Sequence, residues 1–159
     1  MKNLYWALPL ATLAVYVALL GYFAPMIVAD AAGAVPLDLR VMGYGLAEAR
    51  AYLSALTPEG TALYLGPFRL TDTLLPILLT GTLCLPLRRR GQFWFLPALA
   101  YGLFDLAENL AVARLLHTGP EVEAEAVALA SGFTQAKFAA LVVAVLLALY
   151  ALWQVWRTR

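Results

Sequence analysis

The stretch FDLAENLAVA, Phe104 to Ala113, sets an aspartate, a glutamate and an asparagine inside what otherwise reads as a membrane-spanning helix. Asp105, Glu108 and Asn109 are spaced i, i+3, i+4, so they share one helix face, with Tyr101 one turn below and Val112 one turn above. The rest of the stretch is apolar, and it lies within a greasy run from Phe93 to Leu116, long enough to cross a hydrocarbon core, which takes about 20 helical residues. If this run spans, the fold is a membrane bundle with charge in its interior.

Composition supports that reading. The chain of 159 residues is 63% hydrophobic and 13% charged, which leaves too little polar surface for a soluble globular domain. Three further runs have spanning length: about 4–29, 70–87 and 126–156. The expected fold is therefore all-α, a four-helix transmembrane bundle forming one domain over 1–159, with a long loop over 30–69. Ala29-Asp30-Ala31 after the first run imitates a secretory cleavage site, but the run exceeds the usual apolar core of about 7 to 15 residues. It is read as helix one.

Lys and Arg accumulate in the cytoplasmic loops of membrane proteins. Lys2, the block Arg88-Arg89-Arg90, Arg157 and Arg159 fall on one side of the zigzag, so both termini are expected to be cytoplasmic in a multi-pass protein, by expectation of a bacterial inner membrane. Trp6, Trp94, Trp153 and Trp156 lie near the same ends, where aromatic rings favour the headgroup region. The other side carries TGPEVEAE, Thr118 to Glu125, and the long loop. In that loop, Met42, Leu46, Ala49, Leu53 and Leu56 approach helical spacing and predict a short amphipathic outer helix, either a lid packed on the bundle or a gate over a cavity. A second start follows: Thr57 as N-cap, Pro58 at the first helical position, Glu59 beside the positive helix end, and Gly66-Pro67 as a stop.

One cysteine, Cys84, excludes an internal disulfide, and one histidine, His117, excludes a histidine cluster, so no metal site and no cofactor is expected. The chain has no P-loop, GxGxxG or GxSxG, and a net charge of +1 makes the triple arginine a topology signal rather than a nucleic-acid patch.

The candidate site is the set of polar residues inside the spans. Beside Asp105, Glu108 and Asn109, the fourth run contributes Ser131, Thr134 and Gln135 on one arc and Lys137 on its flank. Tyr16, Thr73, Thr80 and Tyr101 are expected as secondary lining. At a rise of 1.5 Å per residue, Glu108 lies about 13 Å and Asp105 about 18 Å from one end of the third run, and Thr134 about 12 Å and Lys137 about 16 Å from the same side of the fourth. Acids and lysine thus share a layer, and an ion pair of Lys137 with Glu108 or Asp105 is expected, completed by Asn109, Thr134 and Gln135. One lysine does not neutralise two carboxylates. The surplus acid must be protonated, hydrated or matched by a cationic ligand group.

The outer segment YLSALTPEG, the D-x-x-E-N of the third run and the S-x-x-T-x-x-K of the fourth resemble a group of small bacterial four-span proteins of unassigned function. The layout of four spans with intramembrane acids is similar, in architecture only, to the EXPERA group of sterol isomerases and sigma-2-like receptors. Three functions fit the residues. The first is binding of a lipid or small amphipathic ligand at the polar site. The second is an intramembrane acid/base enzyme, isomerase-like and acting on a lipid, with Asp105 and Glu108 as catalytic candidates. The third is a structural or assembly subunit that pairs with itself or with another membrane protein. Membrane lipids are expected partners in all three, and nucleic acid in none.

Overall fold

The computed structural model describes residues 2–88, 90–91 and 93–157, with side chains from Trp6 onward. Arg89, Arg159 and the side chain of Lys2, which contribute to the expected orientation, lie outside the described residues. The architecture is all-helical, with 85% of residues in helix and no strand among those described.

Residues 2–30 make one rod. Helix α1 (Lys2–Ala18) passes through a π turn at Leu19–Phe23 into α2 (Ala24–Asp30). The wider turn lies just before Pro25, which lacks an N–H and crowds the carbonyl four residues back, and a π turn accommodates both. The chain then crosses the bundle end through a 3₁₀ turn at Leu37–Leu39 and enters α3 (Leu46–Ala55). This helix starts later than its apolar spacing suggests. Met42 stays outside it and is 87% exposed, because Gly43 sits at φ +80° and interrupts the helix. Glu48 closes the new start by accepting the Gly45 N–H at 2.8 Å.

The second rod begins as expected. The Thr57 hydroxyl accepts the Gly60 N–H at 3.0 Å, with Pro58 at the first position of α4 (Pro58–Leu63), a cap worth about 1 kcal/mol. Gly66 and Pro67, however, bend this rod instead of ending it. Gly66 leaves helical geometry (φ −98°, ψ −107°) within a π turn at Tyr64–Phe68, and the chain runs on as α5 (Arg69–Leu87). Packing holds the two halves together: Tyr64 meets Phe68 edge to face at 4.8 Å and Tyr52 of α3 at 6.5 Å, contacts each worth about 0.5–1.5 kcal/mol beyond burial. Helix α6 (Leu96–Thr118) and the long α7 (Ala124–Arg157) complete the chain.

Three helical stretches are long and apolar enough to cross a membrane: Trp6–Asp30, Pro58–Leu87 and Ala124–Arg157. The expected fourth, α6, has the length but is not among them, since Asp105, Glu108 and Asn109 dilute its hydropathy. Burial shows how α6 carries these residues. Ten of its 23 residues are buried, whereas the apolar windows of the other three are only 17–28% buried. α6 is the most buried of the four long helices, packed on α5 and α7, and its polar face points inward.

Two cores hold the ends. At the end covered by residues 31–57, here the loop end, Leu19, Ile27, Leu37, Tyr52, Phe68 and Leu115 form one cluster; Leu83, Ala98, Ala144 and Ala148 form the other. At that second end Arg90 hydrogen-bonds Gln154 and the Ala151 carbonyl, and Trp94 stacks on Tyr150 at 6.1 Å. At least one residue of the triple arginine therefore fastens a turn to α7.

Candidate functional site

Lys137 of α7 is the centre of the site. Its ammonium pairs with Glu108 and, at 3.4 Å, with Asp105, so the lysine takes both acids rather than one of them. The two carboxylates are one helical turn apart on α6, and the facing helix brings Lys137 to their level. Glu108 is wholly buried, and Asp105 and Lys137 are 4% and 5% exposed. The Thr134 hydroxyl donates to Glu108. Tyr101, a turn below Asp105, is buried on the same face.

Two further acids join this group. Asp72, in the first turn of α5, and Asp38, in the 3₁₀ turn of the loop, are 6% and 1% exposed. Asp38 accepts a hydrogen bond from the Tyr64 hydroxyl at 2.6 Å. Neither acid was marked by the reading of the sequence. Asp72 stands beside Thr73, one of the residues expected as secondary lining; Thr73 is half-buried while Asp72 turns inward with Leu75 and Pro76. The available signal was an acid on an otherwise apolar helix face. Asp38 carried no such signal, because only the return of the loop over the bundle buries it.

Asn109 points away from the ion pair. With Asp38, Asp72, Tyr64, Arg69 and Val112 it lines a partly open gap of about 10 Å³, room for one water-sized particle. Arg69 is half-buried at this gap.

Ser131 and Gln135 also differ from expectation. They hold the loop and do not complete the ion pair: Ser131 Oγ accepts the Tyr44 N–H at 2.8 Å, and Gln135, exposed on α7, donates to the Met42 carbonyl at 2.8 Å. Arg40 braces the same segment through two bonds to the Val35 carbonyl (3.0 and 3.1 Å) and lies over the Tyr52 ring. Residues 31–45 thus form a lid with Asp38 on its inner side. Of the expected secondary lining, Tyr16 is 48% exposed and faces away; Thr12 is the buried polar residue of α1, bonded to Thr82 at 2.7 Å. Thr80 donates to the Ala98 carbonyl at 3.2 Å. It lies against Gly102, where a Cβ would come within 2.5 Å of its hydroxyl, so the glycine lets α5 and α6 approach. Cys84 is half-buried, and no group of three metal-ligating side chains occurs among the described residues.

The lid acid gives the site a pH dependence. Burial raises the Asp38 carboxyl above its ordinary value; the Lys137 ammonium and the Tyr64 bond pull it down, and Asp105 pushes it up. Burial likewise raises the hydroxyls of Tyr44 and Tyr52, which face the same region. A docked lid therefore binds a proton that an undocked lid releases, so docking is fully favourable below the ordinary carboxylate range, near pH 4, and weakens as pH rises through the raised value. Backbone hydrogen exchange of residues 37–45, taken relative to Asp38→Asn at each pH, is expected to accelerate with rising pH; a ratio flat with pH would remove Asp38 from control of the lid.

Four buried carboxylates and one ammonium thus lie beneath residues 31–45, among the described residues. The arrangement suits holding protons or drawing a positive group to the loop end of the bundle. No protein family, curated protein or solved structure matches the chain.

Proposed function

We propose that the chain is a four-span membrane protein, with α6 as its enclosed span and both termini cytoplasmic, that binds the cationic head of a lipid or small amphipathic ligand beneath the lid. The observation that carries this reading is the surplus of acid. Lys137 is shared by Asp105 and Glu108, while Asp38 and Asp72 have no ion-pair partner among the described residues. A buried carboxylate without a counter-charge is costly, and a ligand amine offsets that cost where a neutral or anionic head does not. The gap holds only one water-sized particle, so binding requires residues 31–45 to swing out against the Ser131, Gln135 and Tyr64 bonds and the burial of Leu37 and Tyr44. The apolar part of a ligand would lie against the helices, as in other sites that combine convergent polar groups with apolar walls.

The test is retention of lipid by protein released from nanodiscs, read by native mass spectrometry. Phosphatidylethanolamine should be kept in preference to phosphatidylglycerol of the same acyl chains, and Asp72→Asn should lose the preference. Equal retention of the two lipids by the wild type would sink the proposal. A second reading has its own support: two carboxylates share Lys137 while two others lack an ion-pair partner among the described residues, and carboxylates in such unequal environments are what acid/base catalysis on a bound lipid requires.

A further inference from the structure

Two buried polar atoms of opposite character face the gap. Asp38 Oδ2 is an acceptor and Asn109 Nδ2 a donor, and neither has a hydrogen-bond partner, although both residues are more than nine-tenths buried. They come from different elements, the lid and α6, and both line the gap of about 10 Å³. Leaving such buried atoms unpaired costs their full desolvation penalty. A direct bond between them is not made, and the space between matches one water molecule, which needs roughly 10–15 Å³ of this kind and two to four polar partners.

We propose that this gap is a binding site for a single water molecule that ties the lid to α6. The water accepts from Asn109 Nδ2 and donates one hydrogen to Asp38 Oδ2 and the other to the Asp72 carboxyl, which lines the same gap. That gives it three partners, satisfies both orphaned atoms and uses each of its hydrogens once. The other polar side chains at the gap are placed to leave it this role: the Tyr64 hydroxyl is already committed to the other oxygen of Asp38, and Arg69 stands half-buried at the rim. Apolar Val112, Ala113 and Leu116 complete the lining of the partly open gap. The water completes the lid's polar attachment, beside the Ser131 and Gln135 bonds, and does so without any ligand, so the inference stands apart from the binding function proposed above.

Radiolytic hydroxyl labelling of the full chain in detergent tests it, because radicals formed from a bound water oxidise side chains that bulk water does not reach. Tyr64 and Leu116, both buried, should be oxidised in the wild type on the order of tenfold faster than Tyr101, which is equally buried but off the gap, and Asn109→Leu should abolish the excess by filling the space. Asp38→Leu, placed in the lid rather than the core, should do the same if Asn109→Leu fails to fold. Labelling of Tyr64 as slow as that of Tyr101 in the wild type, or fast labelling that survives both substitutions, would overturn the assignment. So would a saturable rise in melting temperature with sodium or potassium over N-methylglucamine at equal ionic strength, lost in Asn109→Leu, since that would give the gap to a cation.

Discussion

Lys137→Met is expected to lower the stability of the purified protein by about 3–5 kcal/mol, the range for breaking a buried charge pair from one side. The lysine holds Glu108 and Asp105 together, and without it two carboxylates with almost no solvent contact face each other, Asp38 and Asp72 with no opposing charge. Asp72→Asn should behave in the opposite way. It removes one acid from a surplus while keeping the side chain's size, so the melting midpoint should hold or rise, as is common where a functional group is kept at a cost to stability. The double variant Lys137→Met/Glu108→Gln should recover part of the loss, because residues in one network are not additive. The measurement is the unfolding midpoint of all four proteins in mild detergent. Equal losses from Lys137→Met and Asp72→Asn would mean that the cluster is limited by packing, and the charge argument would fail.

Opening of the lid by Gly43→Ala is the second large effect. Gly43 sits at φ +80°, where a β-carbon costs about 1–2 kcal/mol. That carbon would also come within 2.5 Å of Gln135 Nε2 and 2.6 Å of Ser131 Oγ. Both are flexible side-chain ends and will move, but they are the groups that bond Met42 and Tyr44. Moving them therefore releases the lid, at about 1 kcal/mol per bond. Together these changes should favour local opening by about 2–4 kcal/mol, so hydrogen exchange over residues 37–45 should accelerate by roughly two orders of magnitude, with the rest of the bundle unchanged. Gly132→Ala is the control, since nothing lies within 4 Å of its added carbon. If both variants exchange alike, the lid is not held at Gly43.

The two experiments divide the site into its floor and its cover. Lys137, Asp105, Glu108 and Thr134 belong to α6 and α7, which pack along their length, so their substitution should be felt as global stability. Gly43, Ser131, Gln135 and Asp38 govern the attachment of one loop segment, so their substitution should be felt locally.

What the sequence alone determined follows from short-range rules. Apolar runs gave the helical rods, Thr57-Pro58 gave a helix start, and the i, i+3, i+4 spacing in FDLAEN put Asp105, Glu108 and Asn109 on one face. The meeting with Lys137 was also legible, because two antiparallel helices with countable depth leave little freedom in register. The tertiary structure decided the rest. Gly66-Pro67 reads locally as a stop, but Tyr52, Tyr64 and Phe68 pack across the break and turn it into a bend. Gln135 reads as a partner of the ion pair, with Ser131 on the same arc, until the loop returns to claim both. Asp72 joins the acidic cluster through the packing of α5 on α6 and α7, and Asp38 only because residues 31–45 fold back over the bundle. The position of such a loop is set by contacts between residues far apart in the chain, which no local periodicity encodes.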